Sequence, residues 1–552
     1  MQPDSLLGTL RRGLMGAGHM HEGYPRNLGD PRVSGAKGSG PPERSSERRL
    51  RDPRRLGAGS GSRAPVRRAQ GVTEAPLMDT WESDDGIVPK KSGNARSERT
   101  RWREGRRMQL DSFGGKMNGT QNPRDISTKL EWIATMAREN PERVFHSIGH
   151  VIDQSWLHEA YRRTRKDGAR GVDGRSAADY ATDLEGNLVD LERRLKSGTY
   201  RAPAVRHVEI PKASGGVRGL GIPTFEDKVL QRAVLMAMES IHEQDFLPCS
   251  YGFRPGRSAH GALNALWKEL MNVGDGWVLE VDIESFFDSL SHEHLRAFLD
   301  QRVTDGTLRR VVHKWLKAGV MREQGWQKTR RGTPQGGVIS PLLANVYLHH
   351  VLDRWFEAEV KPRLQGRATL IRYADDFVIV FAREADAHRV HGVLPKRFGK
   401  YDLRLHPEKT RLLPFGRSRK GCSFDFLGFT FHWGVSRQGK PVVRQKTAKS
   451  RFARAARRVT EWCRHNRHLP VGLQHARLSA MLRGHYSYFG VTGNGRWLER
   501  FYVVVLRTWF KWLSRRSNRY PTWTWYNGLL ERMPLPQPHV VQSVYRVAKP
   551  TA

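Results

Sequence analysis

Two apolar, β-rich runs that each lead into aspartate constrain this chain more than any other feature. WVLEVDIESFFDSL contains Asp282, and LIRYADDFVIVF has Asp375 and Asp376 between two apolar halves. The β-branched and aromatic residues predict strands, and the second run predicts a hairpin with its acids at the turn. Carboxylates from distant parts of the chain would then lie near one site.

Carboxylates that face one another repel unless cations lie between them. Two Mg²⁺ ions held ~3.5–4 Å apart are a common solution for in-line attack on a phosphate. The acids therefore indicate nucleotidyl transfer with two Mg²⁺ ions as cofactors. Asp282 and Asp375 are the predicted catalytic metal ligands, Asp376 supports them, and the backbone carbonyl of Ile283 is a further candidate oxygen ligand. The competing interpretation is a pair of acids that only cap a turn.

The residues around these acids resemble the reverse transcriptase family. Tyr373-Ala374-Asp375-Asp376 is similar to its YxDD box, and Asp282 heads a similar DxxxxF box that ends at Phe287. Between them, GTPQGGVISP at residues 332–341 resembles the nucleotide-pocket motif of group II intron and retron-type enzymes. The resemblance runs from about Trp132 to the C-terminus. It is nearest to the group II intron reverse transcriptase/maturase proteins.

This resemblance implies an α+β fold, namely a right-hand polymerase followed by a helical maturase domain. Fingers and a palm with an antiparallel sheet would occupy residues 116–435, thumb helices 436–470, and a maturase-specific RNA-binding domain 471–552. Residues 1–115 are rich in Gly, Pro, Ser and Arg without a sustained apolar period, which predicts a disordered basic extension. Whether that extension is translated or functional stays open, because the resemblance does not cover it.

The charge of the chain indicates a polyanionic partner. Its 94 Lys and Arg against 56 Asp and Glu give a formal net charge of +38 and a pI near 10.7. Nucleic acid fits best, since each neutralised phosphate releases counterions. A membrane is not expected, because no apolar run of about 18 residues and no secretory signal appear. The expected location is therefore the cytoplasm. The chain has three cysteines without CxxC spacing, which predicts neither disulfide bonds nor a zinc site.

The resemblance implies a set of contacts with the incoming nucleotide. Cations on a predicted hairpin would hold its triphosphate, a ring would exclude the 2′-hydroxyl of an rNTP, and a glutamine would touch the nucleotide and template pair. These residues are Lys212, Arg218, Phe287, Gln335 and Lys409. Other interpretations stay open: solvated cations for Lys212 and Arg218, a core residue for Phe287, and a surface lysine for Lys409.

Template and primer contacts are implied by two further segments. In SYGFRPGRSAH, Arg254 and Arg257 would meet backbone phosphate, while Tyr251 and Phe253 would either stack on bases or plug the fingers. Gly428 lies in FLGF, which resembles the primer-grip turn, where a glycine lets the primer backbone pass close to the chain.

The C-terminal part predicts basic amphipathic helices. Residues 440–520 contain 19 Lys and Arg but 2 acids. In AKSRFARAARRVTEWCR one helical face is apolar, and Arg451, Arg454 and Arg458 lie off it, as in a thumb along a duplex. RLSAMLRGHYSYFG resembles the maturase LRGxxxYF signature, and its Arg483 is a further RNA-contact candidate. Tyr486, Tyr488, Trp509 and Trp512 are predicted to form the core of this helical region.

The predicted function is RNA-directed DNA polymerase of a group II intron that also assists splicing by binding the intron RNA. The expected partners are group II intron RNA, an RNA template with a DNA primer, target DNA and dNTPs. Two alternatives are a host-adopted reverse transcriptase of a defence or retron-like system, and an RNA-binding splicing factor with a silent polymerase. Phe287 disfavours RNA synthesis, and the lack of CxxC after Cys463 predicts no HNH nuclease.

Overall fold

The computed structural model describes residues 126–211, 216–322, 325–329, 331–419, 421–436, 438–516 and 521–543. These residues form a mixture of helices and strands, as the sequence predicts. The expected disordered extension lies outside the described residues, and so does Lys212.

The α-helices are α1 (Ile126–Glu139), α2 (Gln154–Arg163), α3 (Ala177–Ala181), α4 (Leu184–Lys196), α5 (Phe225–Asp245), α6 (Ala259–Val273), α7 (Phe286–Ser289), α8 (His292–Asp300), α9 (Gly306–Lys317), α10 (Ser340–Leu348), α11 (Glu384–Gly399), α12 (Lys449–His465), α13 (Val471–Phe489), α14 (Gly495–Leu513) and α15 (Trp523–Arg532). The strands are β1 (Val205–Pro211), β2 (Val217–Ile222), β3 (Gly276–Val281), β4 (Val320–Arg322), β5 (Gly325–Gln327), β6 (Ala368–Tyr373), β7 (Asp376–Phe381), β8 (Arg411–Phe415), β9 (Ser423–Phe426), β10 (Phe429–Val435) and β11 (Pro441–Thr447).

The central sheet carries both aspartate runs. Its strand order is β6-β7-β3-β8, and each neighbouring pair is antiparallel. β6 and β7 form the predicted hairpin, in which Tyr373 pairs with Asp376. β3 lies beside β7 with Val281 opposite Phe377. Because α6 and α11 pack against this sheet, its strands are largely buried and read as continuous apolar runs.

A second sheet has the strand order β2-β1-β4-β5, with β1 antiparallel to β2 and parallel to β4. The sequence predicts strands at residues 206–212 and 216–224, and both form. The second ends earlier than predicted, at Ile222. The reason is that the Thr224 hydroxyl accepts a hydrogen bond from the backbone N–H of Asp227 and so caps α5.

The third sheet, in the order β11-β10-β9, contains the predicted primer-grip turn. Phe426 pairs with Phe429, so Leu427 and Gly428 are the two turn residues. Their φ angles are 48° and 79°. Two consecutive left-handed residues are typical of a type I′ hairpin, which explains a glycine at the second of these positions.

Two predicted helices differ in extent from the observed ones. The sequence predicts a helix over residues 126–150, but α1 ends at Glu139. The next residue, Asn140, precedes Pro141, and a residue before proline avoids the helical conformation. The sequence also predicts a single helix at residues 176–195, but two helices, α3 and α4, form there. The Asp183 side chain accepts a hydrogen bond from Gly186 N–H and so begins the second helix.

Helices α12 to α15 share a hydrophobic core with the central sheet. That core joins Val278 of β3 and Val378 of β7 to Tyr486 and Trp509, which are fully buried. The predicted apolar face of α12 contacts the same core through buried Val459. Partly buried side chains that pack against it include Phe452, Ala455, Trp462, Tyr488 and Trp512. Tyr486 and Trp509 are therefore core residues, as predicted, whereas Tyr488 and Trp512 pack against the edge of that core.

Within the part of the chain that the structure describes, no helix is both long and apolar enough to cross a lipid bilayer. Cys249, Cys422 and Cys463 have free thiols. Burial raises the pKa of the Cys463 thiol to about 12 and also raises the pKa of the Cys249 thiol. Both thiols therefore stay protonated near neutral pH.

Candidate active site

The three predicted aspartates meet at one end of the central sheet. Asp282 directly follows β3, and Asp376 begins β7. The antiparallel register that places Val281 opposite Phe377, continued by one residue, would place Asp282 opposite Asp376. The charge of Asp282 does act on Asp376. Side chains directly opposite each other in such a pair have Cβ atoms about 4.5–5.5 Å apart. Asp375 occupies the tight turn between β6 and β7. It is near enough to Asp282 and Asp376 for their charges to interact.

Backbone hydrogen bonds join the residues after β3 to the segment before β8. Ile283 and Leu405 form an isolated antiparallel bridge. The N–H of His406 donates to the carbonyl of Asp282 at 2.8 Å, and the N–H of Glu284 donates to Arg404 at 2.8 Å. The chain is thus held on both sides of Asp282. A cation contact through the Ile283 carbonyl stays a prediction.

The carboxylates repel one another. Burial raises the pKa of the Asp375 carboxyl above its ordinary value of 3.8, and the charge of Asp282 adds to this rise. Burial also raises the pKa of Asp376 to about 7, with further contributions from Asp375 and then Asp282. The Asp376 side chain is exposed to solvent within a cleft, and protein surrounds it on its other sides. Such an array is complementary to positive charge.

We expect the pH dependence of stability to reveal the raised pKa of Asp376. Without divalent cations, the folded state binds a proton more tightly than the unfolded chain. Stability should therefore fall as pH rises from about 4 to about 7, through the pKa of the folded state. Thermal unfolding of the wild type and Asp376→Asn in a chelator would measure this effect. Parallel pH profiles for the two proteins would contradict it.

The donor set fits Mg²⁺. That ion takes hard oxygen ligands, needs one or two carboxylates, and completes its coordination with water and substrate phosphates. Among the described residues, no three His, Cys, Asp or Glu side chains are close enough to hold a metal ion by themselves. Asp282, Asp375 and Asp376 could therefore hold Mg²⁺ together with waters and a nucleotide phosphate.

Two cations lie beside these acids. The Lys409 ammonium donates to Asp282 Oδ2 at 2.8 Å, and its side chain is 60% exposed. The positive charge of Arg451 lowers the pKa of Asp376, as does that of Lys409. Arg451, on the basic side of α12, lines the same cleft as Asp282 and Asp376. Its contact with template, primer or RNA stays a prediction.

The cleft has a volume of about 350 Å³ and is bounded by five segments. These are the end of β3, the start of β7, residues 408–411 at the start of β8, the end of β9 with the Leu427–Gly428 turn, and the beginning of α12. A Cβ atom at Gly428 would lie 3.5 Å from Arg451 Cγ, so the turn and α12 are in close contact. The predicted primer-grip turn thus lies beside the aspartates.

Sequence reasoning missed a second pair of charges at the cleft. Glu280 is buried in β3, where burial raises its pKa, and Arg411 opposes that rise. The two side chains form an ion pair of 2.5 Å, and Glu280 also accepts from the N–H of Asp425 at 3.1 Å. Glu280 thereby ties β9 to the central sheet. The signal for it was an acid within an otherwise apolar strand.

Backbone contacts bring the nucleotide-pocket motif to Phe287. The N–H of Thr333 donates to the Phe287 carbonyl at 2.8 Å. The Phe287 ring is half-buried beside Phe286, with 5.4 Å between ring centroids. The N–H of Gly221 donates to the Gln335 carbonyl at 2.7 Å, which joins the motif to β2. These predicted nucleotide contacts are therefore neighbours.

Arg218 lies on β2 and is exposed. Its positive charge lowers the pKa of Asp375, so it is near enough to interact with the aspartates. Lys212, its predicted companion, lies outside the described residues.

The expected phosphate contact of Arg254 is not supported. The Arg254 side chain is 3% exposed and forms an ion pair of 2.6 Å with Glu243. It also donates to the backbone carbonyls of Leu247 and Ser250. Its donors therefore bind the protein, and the residue braces the segment after α5. A buried arginine and a solvated one look alike in a sequence.

The neighbouring residues differ from Arg254. Arg257 is half-buried over the ring of Tyr251, which packs against the core and so plugs the segment. Phe253 is 36% exposed with a φ of 58°. A positive φ at a large side chain is rare and strained. Of the two aromatic residues, Phe253 is thus the more exposed.

The remaining RNA-contact candidates lie on two C-terminal helices. Arg454 is half-buried and Arg458 is exposed on α12, while Arg483 is exposed on α13. The helices place all three on the surface of the region whose interior the aromatic residues fill. RNA contact by these residues stays a prediction.

Comparison with known proteins identifies the fold around the aspartates. Residues 210–431 match the model of the family described as reverse transcriptase (RNA-dependent DNA polymerase). Protein YkfC of Escherichia coli is 36% identical over 357 residues, which cover 58% of this chain and 91% of that protein. The chain belongs to the reverse transcriptase family.

Intron-encoded proteins are also similar to this reverse transcriptase. The group II intron-encoded protein LtrA of Lactococcus lactis is 37% identical over 230 residues, covering 41% of this chain and 38% of LtrA. Nuclear intron maturase 2 of Arabidopsis thaliana is 31% identical over 175 residues, covering 25% of this chain and 24% of that protein. The chain therefore spans well under half of these two relatives.

Proposed function

We propose that this reverse transcriptase is encoded by a group II intron, copies RNA into DNA by nucleotidyl transfer, and assists splicing of the intron. One observation carries the polymerase part of the proposal. The register of β3 and β7, continued by one residue, would place Asp282 opposite Asp376, with Asp375 in the adjoining turn. Clustered acids on rigid strands are costly unless cations and phosphates use them, and the pKa values of Asp375 and Asp376 are raised accordingly.

In this proposal Asp282, Asp375 and Asp376 hold two Mg²⁺ ions, with the Ile283 carbonyl as a further ligand. When bound, the cations would activate the primer hydroxyl and stabilise the leaving pyrophosphate. Arg218 and Lys409 would neutralise charge on the triphosphate, and Lys212 would join them. Lys409 would then exchange its ion pair with Asp282 for the nucleotide.

Selection of dNTPs is proposed to depend on Phe287. Because its ring is only half-buried and adjoins the nucleotide-pocket motif, it is available to a sugar. Phe287→Ala should raise incorporation of rNTP relative to dNTP by about 10- to 100-fold. Single-nucleotide extension with each substrate measures this ratio. Phe287→Tyr, which keeps a ring, should retain discrimination, and an unchanged ratio in the alanine variant would leave Phe287 as a core residue.

The splicing part of the proposal rests on the C-terminal helices and on the relatives. Exposed Arg458 and Arg483, with Arg454, form a basic surface over an aromatic core. Group II intron-encoded and maturase proteins are among the relatives. Fingers and palm at 116–435, thumb helices at 436–470 and a maturase domain at 471–552 are the proposed divisions. Intron RNA, a template with a DNA primer, target DNA and dNTPs are the proposed partners.

The test combines two assays on the purified chain. The protein should extend a DNA primer on an RNA template with dNTPs and Mg²⁺, and a chelator should stop extension. It should also bind and promote splicing of an intron transcribed from the flanking nucleotides. Extension without splicing support would favour the alternative of a host-adopted enzyme from a defence or retron-like system. Splicing support without extension would favour a splicing factor with a silent polymerase.

A further inference from the structure

A fully buried ion pair lies directly beneath the aspartate turn. Arg372, in β6, and Asp353 are each 0% exposed. The guanidinium donates to both carboxylate oxygens of Asp353, at 2.8 and 2.5 Å. Its remaining nitrogen donates to the side-chain oxygen of Asn345 at 3.0 Å and to the backbone carbonyl of Ala374 at 2.9 Å. Arg372 therefore binds the turn itself.

A second set of contacts joins Asn345 and Gly252 to the same turn. The Asn345 amide donates to the carbonyl of Gly252 at 2.8 Å. Gly252 packs so closely on the turn that a Cβ atom there would lie 2.3 Å from the backbone nitrogen of Ala374. Ala374 itself has a φ of 56°, an uncommon conformation for a residue with a side chain. The surrounding contacts maintain this conformation.

The helix that supplies Asn345 and Asp353 is shaped for this arrangement. These residues are eight positions apart, and an unbroken α-helix would separate them by about 80° around its axis. The segment His349–Asp353, after α10, is instead a π-helix. Its wider turns bring Asp353 towards the face that carries Asn345. Single π turns inside helices are frequent at functional sites.

Stability alone is a weak reason for such a cluster. A buried ion pair is often no more stabilising than apolar residues of the same volume, because both charges lose their hydration. The informative feature is the donor that Arg372 directs to the Ala374 carbonyl. Functional groups at a reaction centre need positions fixed to within about 0.5 Å by their supporting residues.

We propose that Arg372, held by Asp353 and Asn345, is a positioning residue that fixes the Ala374 backbone and thereby the carboxylates of Asp375 and Asp376. This inference rests on the proposed polymerase function. Arg372 does not touch substrate, so its loss should change turnover and cation binding more than affinity for nucleic acid.

Arg372→Lys tests the inference, since lysine keeps the charge but cannot bind Asp353, Asn345 and the turn together. We expect kcat for primer extension to fall by roughly 10- to 100-fold. The KM for dNTP and the Kd for template and primer should stay within about twofold. Mn²⁺ binding, followed by electron paramagnetic resonance, should weaken. Asn345→Ser, a milder change, should shift the same quantities in the same direction if the lysine variant does not fold.

Arg302→Lys is the matched control. Arg302 is also buried, pairs with Asp245, and donates to backbone carbonyls, but these belong to the last turn of α1 and to the segment that follows it. That variant should lower the unfolding temperature without lowering kcat. Equal losses of kcat in both variants, or normal kcat and Mn²⁺ binding in Arg372→Lys and Asn345→Ser, would overturn the inference.

The proposed function and the positioning role fail in different ways. A wild-type protein that extends no primer would remove the polymerase proposal. Mn²⁺ binding by the wild type and by Arg372→Lys would still decide whether Arg372 positions the carboxylates.

Discussion

Asp375→Asn should lower the rate of primer extension by about 10³-fold or more, since loss of a cation ligand removes several kcal/mol of transition-state stabilisation. The amide keeps the shape of the side chain but not its charge. Because burial and Asp282 already raise the pKa of Asp375, removing the charge relieves repulsion. Folding should therefore be unchanged or improved. Primer extension under single-turnover conditions and a thermal melt measure both effects.

Glu284→Gln supplies the control for Asp375→Asn. Glu284 lies two residues after Asp282 and is exposed. It is not part of the pairing between β3 and β7, so its replacement removes a nearby negative charge without changing the aspartates. Extension by that variant should resemble that of the wild type. RNA affinity should survive in both variants. Full extension by Asp375→Asn would refute the assignment of the aspartates.

Reversing the charges of Arg451, Arg454 and Arg458 on α12 should weaken binding of intron RNA by roughly 10²-fold at moderate salt. The plot of log affinity against log salt should also become less steep, by about 0.7–0.9 for each lost phosphate contact. Filter binding across a salt series measures both quantities. Arg451→Glu alone should additionally slow extension, because Arg451 lowers the pKa of Asp376 in the cleft.

The control for these reversals changes the same charge at another surface. Arg389, Lys396 and Lys400 are exposed on or just after α11, which packs against the central sheet. Their reversal should alter RNA binding less than the reversals on α12. If both triple variants bind RNA equally, net charge rather than α12 governs affinity, and the proposed thumb contact is wrong.

Removal of residues from Val471 onward is a poorer test of splicing support than point changes are. Tyr486 and Trp509 belong to a core that also contains Val278 and Val378 of the central sheet. Truncation would expose that apolar surface to water and disturb the strands that carry the aspartates. Arg483→Glu, at an exposed position of α13, changes the proposed RNA surface without opening the core.

Local features of the chain were predictable because their causes are local. Alternating and continuous apolar runs specify β3, β6 and β7, and the register of a tight hairpin then fixes where Asp375 and Asp376 lie. The apolar face of α12 was likewise predictable from helical spacing, whereas the Leu427–Gly428 turn was implied by the resemblance to the family. The aspartate site was accessible from the sequence for this reason.

The surroundings of the charged residues depended on tertiary structure. Arg254, Arg372 and Arg451 are equally basic in the sequence, yet one braces a loop, one binds the aspartate turn and one lines the cleft. Their partners come from segments far apart in the chain. Hydrophobic periodicity indicates which residues are buried, but it carries no information on which distant carboxylate or carbonyl will meet a guanidinium. Burial of a charge is tolerated only where such a partner arrives, and the packing of α10 and its π-helical extension against β6 decides that for Arg372.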